Sequence, residues 1–141
     1  MKRLLRIVFL VGLAACRDDM QTPESPVDDL FDPTAPGVVL LRQGVMSGGG
    51  GHTVSGTATL YDDAGKLVLV FDPFSAQNGP DLWVYLSTDE NATNYIRLAM
   101  LKSTMGKQSY EITGMPDLDE YKYALIWCEK FTVLFGTAEL K

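Results

Sequence analysis

The stretch Thr53-Val54-Ser55-Gly56-Thr57-Ala58-Thr59-Leu60-Tyr61-Asp62-Asp63-Ala64-Gly65-Lys66-Leu67-Val68-Leu69-Val70-Phe71 decides the fold. Its first nine residues alternate and are rich in β-branched side chains, which suits a pleated, half-buried strand. Asp62-Asp63-Ala64-Gly65 supplies turn residues, and Lys66 to Phe71 returns as a second apolar run. Two such runs joined by a short acidic and glycine-containing link predict a β-hairpin.

The same pattern extends outward from this hairpin. Val38-Val39-Leu40-Leu41 opens the domain, and Asn78-Gly79-Pro80-Asp81 breaks the chain before the strand Leu82-Trp83-Val84-Tyr85-Leu86. Tyr95–Met100 and Ser109–Ile112 are further strand candidates. Tyr123–Cys128 and Phe131–Phe135 close the chain, with Glu129-Lys130 predicted as a two-residue hairpin connection. No stretch beyond residue 20 carries a capped helical stripe. Short strands punctuated by Gly and Pro predict a single all-β domain over 37–141, an antiparallel sandwich or barrel. Twelve of the fourteen aromatics lie in that range, the exceptions being Phe9 and Phe31. They are enough to fill a core without metal or disulfide.

Upstream the composition changes twice. Lys2, Arg3 and Arg6 precede the apolar run Ile7–Ala15, which is too short to span a bilayer and has the form of a signal peptide over 1–15. It ends in Leu13-Ala14-Ala15-Cys16, a tetrad that resembles the lipobox of bacterial lipoproteins. The resemblance implies that Cys16 is lipidated, cleavage falls before it, and the mature chain is anchored to a membrane without crossing it. Arg17-Asp18-Asp19 resembles the surface-export signal of Bacteroidetes lipoproteins, which implies an outer-membrane location in the bacterial cell envelope, periplasmic or surface-exposed. Residues 16–36 then combine four prolines with six acids against the single base Arg17, so an extended, unpacked and disordered tether is expected. Leu30-Phe31 is its one candidate for local docking.

Composition narrows the chemistry. With Lys+Arg 12 against Asp+Glu 18 the net charge is −6, which argues against a nucleic-acid partner. One histidine cannot build a multi-His zinc site, and no metal site is predicted. No Gly-x-Ser-x-Gly elbow is present, the acidic pairs sit in turns and lack calcium-loop spacing, and no hydrolase or metal-enzyme constellation emerges. His52 follows four glycines, Gly48–Gly51, that are best read as a flexible loop without the Lys-Ser/Thr of a phosphate loop.

Cys128 is the only thiol left once Cys16 carries lipid, so it has no intrachain disulfide partner. In an oxidising envelope it is either buried or used. Alternation places Ala124, Ile126 and Cys128 on one face of a strand and Leu125 and Trp127 on the other. A buried thiol can act as a small hydrophobe. Alternatively Lys130, close in sequence, would favour the thiolate, while Glu129 would oppose it. Trp127 and His52 complete the supporting candidates. Exposed aromatics such as Trp83, Phe74 and Tyr85 offer a different role, a non-catalytic surface module binding a glycan or protein.

His52–Asp63, Gly79–Leu86, Ser109–Ile112 and Ile126–Leu140 together resemble the DM-thirteen domain, in the same order, across nearly all of 37–141. The final segment, with an aromatic before Cys128 and Phe135-Gly136-Thr137-Ala138-Glu139-Leu140 after it, is the most specific part. The loop Thr88–Asn94 is the least family-like. The resemblance implies a small β-domain, found in bacterial lipoproteins and in animals beside DOMON domains, that serves as a redox or electron-transfer accessory to a protein partner. It also implies that Cys128 acts either as a thiol or as a ligand to a prosthetic group. Haem is one such group. The chain has no Cys-x-x-Cys-His attachment motif, and a His52/Cys128 pair requires the fold to join distant segments.

Overall fold

The computed structural model describes residues 20–141. The predicted signal peptide, Cys16 and Arg17-Asp18-Asp19 lie outside the described residues. Nine strands follow one another: β1 Val27–Asp28, β2 Val38–Gly48, β3 Val54–Asp63, β4 Lys66–Ala76, β5 Leu82–Ser87, β6 Tyr95–Met100, β7 Gly106–Ile112, β8 Tyr123–Cys128 and β9 Val133–Glu139. The all-β expectation holds. They form one sheet in the order β1-β7-β4-β3-β2-β9-β8-β5-β6, antiparallel throughout except for the parallel pair β1–β7. The sheet curls into a half-barrel, bringing β6 and β7 close to each other, and the Lys102 N–H just after β6 donates to Tyr110 Oη on β7 at 3.0 Å.

The predicted hairpin is β3–β4. Ala64 and Gly65 are its two loop residues, both at positive φ, +50° and +89°. That geometry matches the right-handed twist of the flanking strands. The Asp62 carboxylate accepts from Gly65 N–H at 2.7 Å and fixes the turn. Strand alternation then sends Leu60, Leu69, Phe71, Leu82, Val84, Leu86, Ile126 and Cys128 to the concave side, where they form the core. Each large apolar side chain buried there contributes roughly 1.5–3 kcal/mol.

Two expectations change. The connection between β8 and β9 is four residues, Glu129–Thr132, and not two. Pairing stops at Cys128–Val133 because Glu129 turns away: its N–H donates to Asp81 O at 3.0 Å. Thr132 takes φ +54°, and Phe131, expected in the strand, is 62% exposed in the loop.

The acidic segment, over residues 20–31, is extended but packed. Gln21 bridges to Pro80, and β1 adds to the open edge of β7. The Asp29 carboxylate accepts from Ser109 N–H at 2.8 Å and pairs with Lys102 at 2.5 Å. Phe31 does dock, its ring 5.2 Å from Tyr61, whereas Leu30 faces solvent. Prolines and like charges prevent this segment from forming a core of its own. They do not prevent its backbone from completing a neighbour's unpaired edge.

Candidate functional site

Cys128 ends β8 and pairs with Leu82 of β5 and Val133 of β9. Its face is the one shared with Ala124 and Ile126, as alternation predicts, and the residue is 0% exposed. The thiol donates to the Pro80 carbonyl at 3.1 Å. Gly79-Pro80-Asp81 makes this possible because Asp81 adopts φ +56°, a left-handed conformation that Asp tolerates better than most residues. Met20, Pro80, Asp81 and Lys130 line a surface cavity of about 320 Å³. Met20 and Thr22 fasten the cover: Asp81 N–H donates to Met20 O at 3.0 Å, and Asn78 Nδ2 to Thr22 O at 3.0 Å. The sulfur is therefore separated from solvent by the Pro80–Asp81 corner and the segment bonded to it.

The supporting candidates occupy different places. Lys130 lines the cavity, and its ammonium lies 5.6 Å from the Phe131 ring. His52 stacks on Phe135 with ring centroids 3.7 Å apart, and its Nδ1 lies 2.9 Å from Gly49 O. It thus ties the glycine loop to β9. Among the described residues its partners are Gly49 and Phe135, whereas that of Cys128 is Pro80, so the fold does not join the two as a pair. Trp127 is on the opposite face of β8 from the sulfur. A haem does not fit here: an iron ligand must present an open lone-pair direction to a macrocycle, whereas this sulfur is enclosed in the core and bonded to a backbone carbonyl. Among the described residues no three His, Cys, Asp or Glu side chains group as a metal site.

The convex face of β5, β6 and β8 holds a second group. Trp83 and Tyr85 lie opposite Trp127 and Leu125 on β8, and opposite Met100 and Arg97 on β6. Tyr85 Oη donates to Glu129 Oε1 at 2.6 Å. Arg97 grips the same carboxylate with two donors, Nε to Oε1 at 2.7 Å and Nη2 to Oε2 at 2.8 Å. Its guanidinium also lies 3.3 Å from the Trp83 ring centroid, and Trp83 Nε1 donates to Asp81 Oδ1 at 2.8 Å. Burial pushes the Glu129 carboxyl up, but the Arg97 and Tyr85 donors outweigh it and hold it below the usual range. Burial, with the Glu129 carboxylate beside it, pushes the Tyr85 phenol well above its ordinary value. Sequence alternation sends Trp83 and Tyr85 to this face, but gives no sign of Arg97 and Glu129 converging there. The Glu129 carboxylate is committed to this group, bonded to Tyr85 and Arg97, whereas the thiol bonds to Pro80 O.

These placements correct the expected exposure of the aromatics. Phe74 and Tyr85 are buried, Phe74 in the core against Phe71 and Tyr85 beneath the Glu129–Arg97 pair, and Trp83 is only partly exposed.

The model of the family described as Electron transfer DM13 matches residues 47–140, from the end of β2 to the residue after β9. The chain belongs to the DM13 family. The match covers more than half of the chain and contains the whole Cys128 environment except Met20 and Thr22. A DM13 domain is an electron-transfer domain, which gives the β-domain a redox accessory role. Comparison with curated proteins and with solved structures finds no match.

Proposed function

We propose that the protein is a lipid-anchored bacterial envelope protein, held at the outer membrane through Cys16, whose DM13 domain serves a redox protein partner through Cys128. The observation that carries the reading is the position of the sulfur. It is the one described thiol, and it lies directly beneath the Pro80 carbonyl, a residue that also lines the surface cavity. The S–H to carbonyl bond ties the sulfur to the Pro80 corner while the cover is closed. Release of Met20–Thr22 from Asn78 and Asp81 frees the Pro80–Asp81 corner and lets a partner's disulfide or oxidant approach. Asp81 and Lys130, of opposite sign, flank that approach.

The test is native-state thiol chemistry on the purified protein in detergent. Cys128 should react slowly with a disulfide reagent under conditions where the fold is intact, and Cys128→Ala should remove both the labelling and the redox phenotype. A thiol that reacts only on global unfolding, with a Cys128→Ala strain indistinguishable from the parent, overturns the assignment. Mass spectrometry of the membrane-extracted protein tests the anchor: a diacylated, acylated Cys16 as the first residue is expected, and an intact N-terminus refutes it.

A further inference from the structure

The convex-face group has the parts of a proton-coupled electron relay. Tyr85 is 2% exposed, and its ring stacks on Tyr95 at 4.2 Å with 6° between planes. Tyr95 is on the edge strand β6 and is 47% exposed, so it connects the buried ring to the surface. On the other side Trp127, the chain neighbour of Cys128, lies 6.2 Å from Tyr85 at 20°. The Tyr85 hydroxyl is already bonded at 2.6 Å to a carboxylate, within direct proton-transfer distance. A structural tyrosine needs a hydrogen-bond partner. It does not need a stacked ring that leads to solvent.

We propose that Tyr85 is a redox-active tyrosine, giving one electron outward through Tyr95 while its hydroxyl proton passes to Glu129. The step balances as follows. The phenol and the Glu129 carboxylate, with a high-potential one-electron oxidant of the ferryl-haem class on a partner protein, become a neutral tyrosyl radical, a protonated Glu129 and the one-electron-reduced oxidant. The O–H bond of Tyr85 breaks and an O–H bond forms on Glu129 Oε1. A one-electron reductant returns the electron, and Glu129 returns the proton. Arg97 holds the carboxylate in line through its two donors and keeps it ionised beforehand. The inference rests on the electron-transfer reading of the domain and is independent of Cys128.

The experiment uses the full chain in detergent with photogenerated ruthenium(III) tris-bipyridine as the oxidant. Electron paramagnetic resonance after freeze-quenching reads the radical. The parent should give a tyrosyl signal that Tyr85→Phe abolishes, and its formation should slow in deuterated water. Glu129→Gln, which keeps the shape but removes the base, should slow formation by about a hundredfold. If that variant does not fold, the deuterium effect on the parent decides. A tyrosyl signal that survives Tyr85→Phe, or a rate insensitive to deuterium, overturns the proposal. Cys128→Ala should leave the signal intact, and its loss there would make the sulfur a required relay to Tyr85 and equally overturn the proposal. A silent thiol with an intact tyrosyl signal refutes Cys128 alone, so the two failures are distinguishable.

Discussion

Asn78→Asp should expose Cys128 to reagents without unfolding the domain. Met20–Thr22 is held over the Pro80–Asp81 corner by the Gln21–Pro80 bridge, in which Asp81 N–H donates to Met20 O, and by Asn78 Nδ2 to Thr22 O. At about 1 kcal/mol net for each of these two bonds, opening this cover costs about 2 kcal/mol and slows labelling by roughly thirtyfold relative to a free thiol. Labelling through global unfolding would require about 5–15 kcal/mol and be slower by further orders of magnitude. Asn78→Asp preserves the oxygen that accepts from Gly79 N–H at 2.8 Å. It removes the donor to Thr22 O and sets a second carboxylate against Glu24, whose Oε1 lies 3.0 Å from the present amide. The lost bond costs about 1 kcal/mol, and the exposed repulsion adds up to about 1 kcal/mol. Labelling should therefore accelerate by roughly 5- to 30-fold. The assay is the pseudo-first-order rate with a chromogenic disulfide reagent, measured across low urea concentrations. A parent rate whose urea dependence equals that of global unfolding, together with an unchanged rate in Asn78→Asp, would refute the cover as the route to the sulfur.

Phe71→Ala should destabilise the domain by about 3–5 kcal/mol in urea unfolding, since the ring is fully buried between Phe74 and Tyr110; a loss below about 1 kcal/mol would contradict that packing. In Gly106→Ala the new Cβ would clash with Val27 O at a φ of +96°, so amide exchange at Val27 and Asp29 should rise while β4 stays protected. Burial raises the Asp29 carboxyl, but the Lys102 and Ser109 donors outweigh it and hold it below its ordinary value. Its stabilisation is therefore present above the unfolded value near 4 and is lost as pH falls through the lower folded value, so β1 exchange should increase below about pH 4 and not between pH 5 and 8. The Tyr85 and Tyr110 phenols are both raised, mainly by burial, so their contribution is complete below about pH 10 and is lost as pH rises above it. Two phenols should ionise only with alkaline unfolding, and their early titration by ultraviolet difference absorbance would refute their burial.

The legible parts of the fold are those specified by neighbours in the chain. The β3–β4 hairpin needs only alternation and two residues that accept positive φ, and both are visible in Tyr61 to Lys66. The faces of β8 follow the same rule, so Cys128 beside Ala124 and Ile126 is read correctly. The β8–β9 loop was not legible because its length depends on Asp81, a residue 48 positions before Glu129, capturing the Glu129 N–H. Composition describes residues 20–31 as unable to form a core, which is correct, but the edge of β7 that receives them is a property of the finished sheet. The Tyr85–Glu129–Arg97 group was hidden for the same reason: β5 lies between β8 and β6, and that order is not the order of the sequence.

Strand β8 joins these observations, because period-two alternation gives it two chemistries at adjacent residues. Cys128 faces a closed core, and Trp127 faces the aromatic and ionic group outside. An atom-transfer reaction at the sulfur requires the cover to move, since disulfide exchange needs sulfur to contact sulfur. A one-electron reaction on the convex face requires no such movement, since the stacked Tyr95 ring already reaches the surface. The proposed Tyr85 route thus needs no exposed thiol, whereas the Cys128 route does. The two routes separate by their sensitivity: Asn78→Asp alters the first and leaves Tyr85 untouched, whereas Glu129→Gln alters the second and leaves the Cys128–Pro80 bond in place.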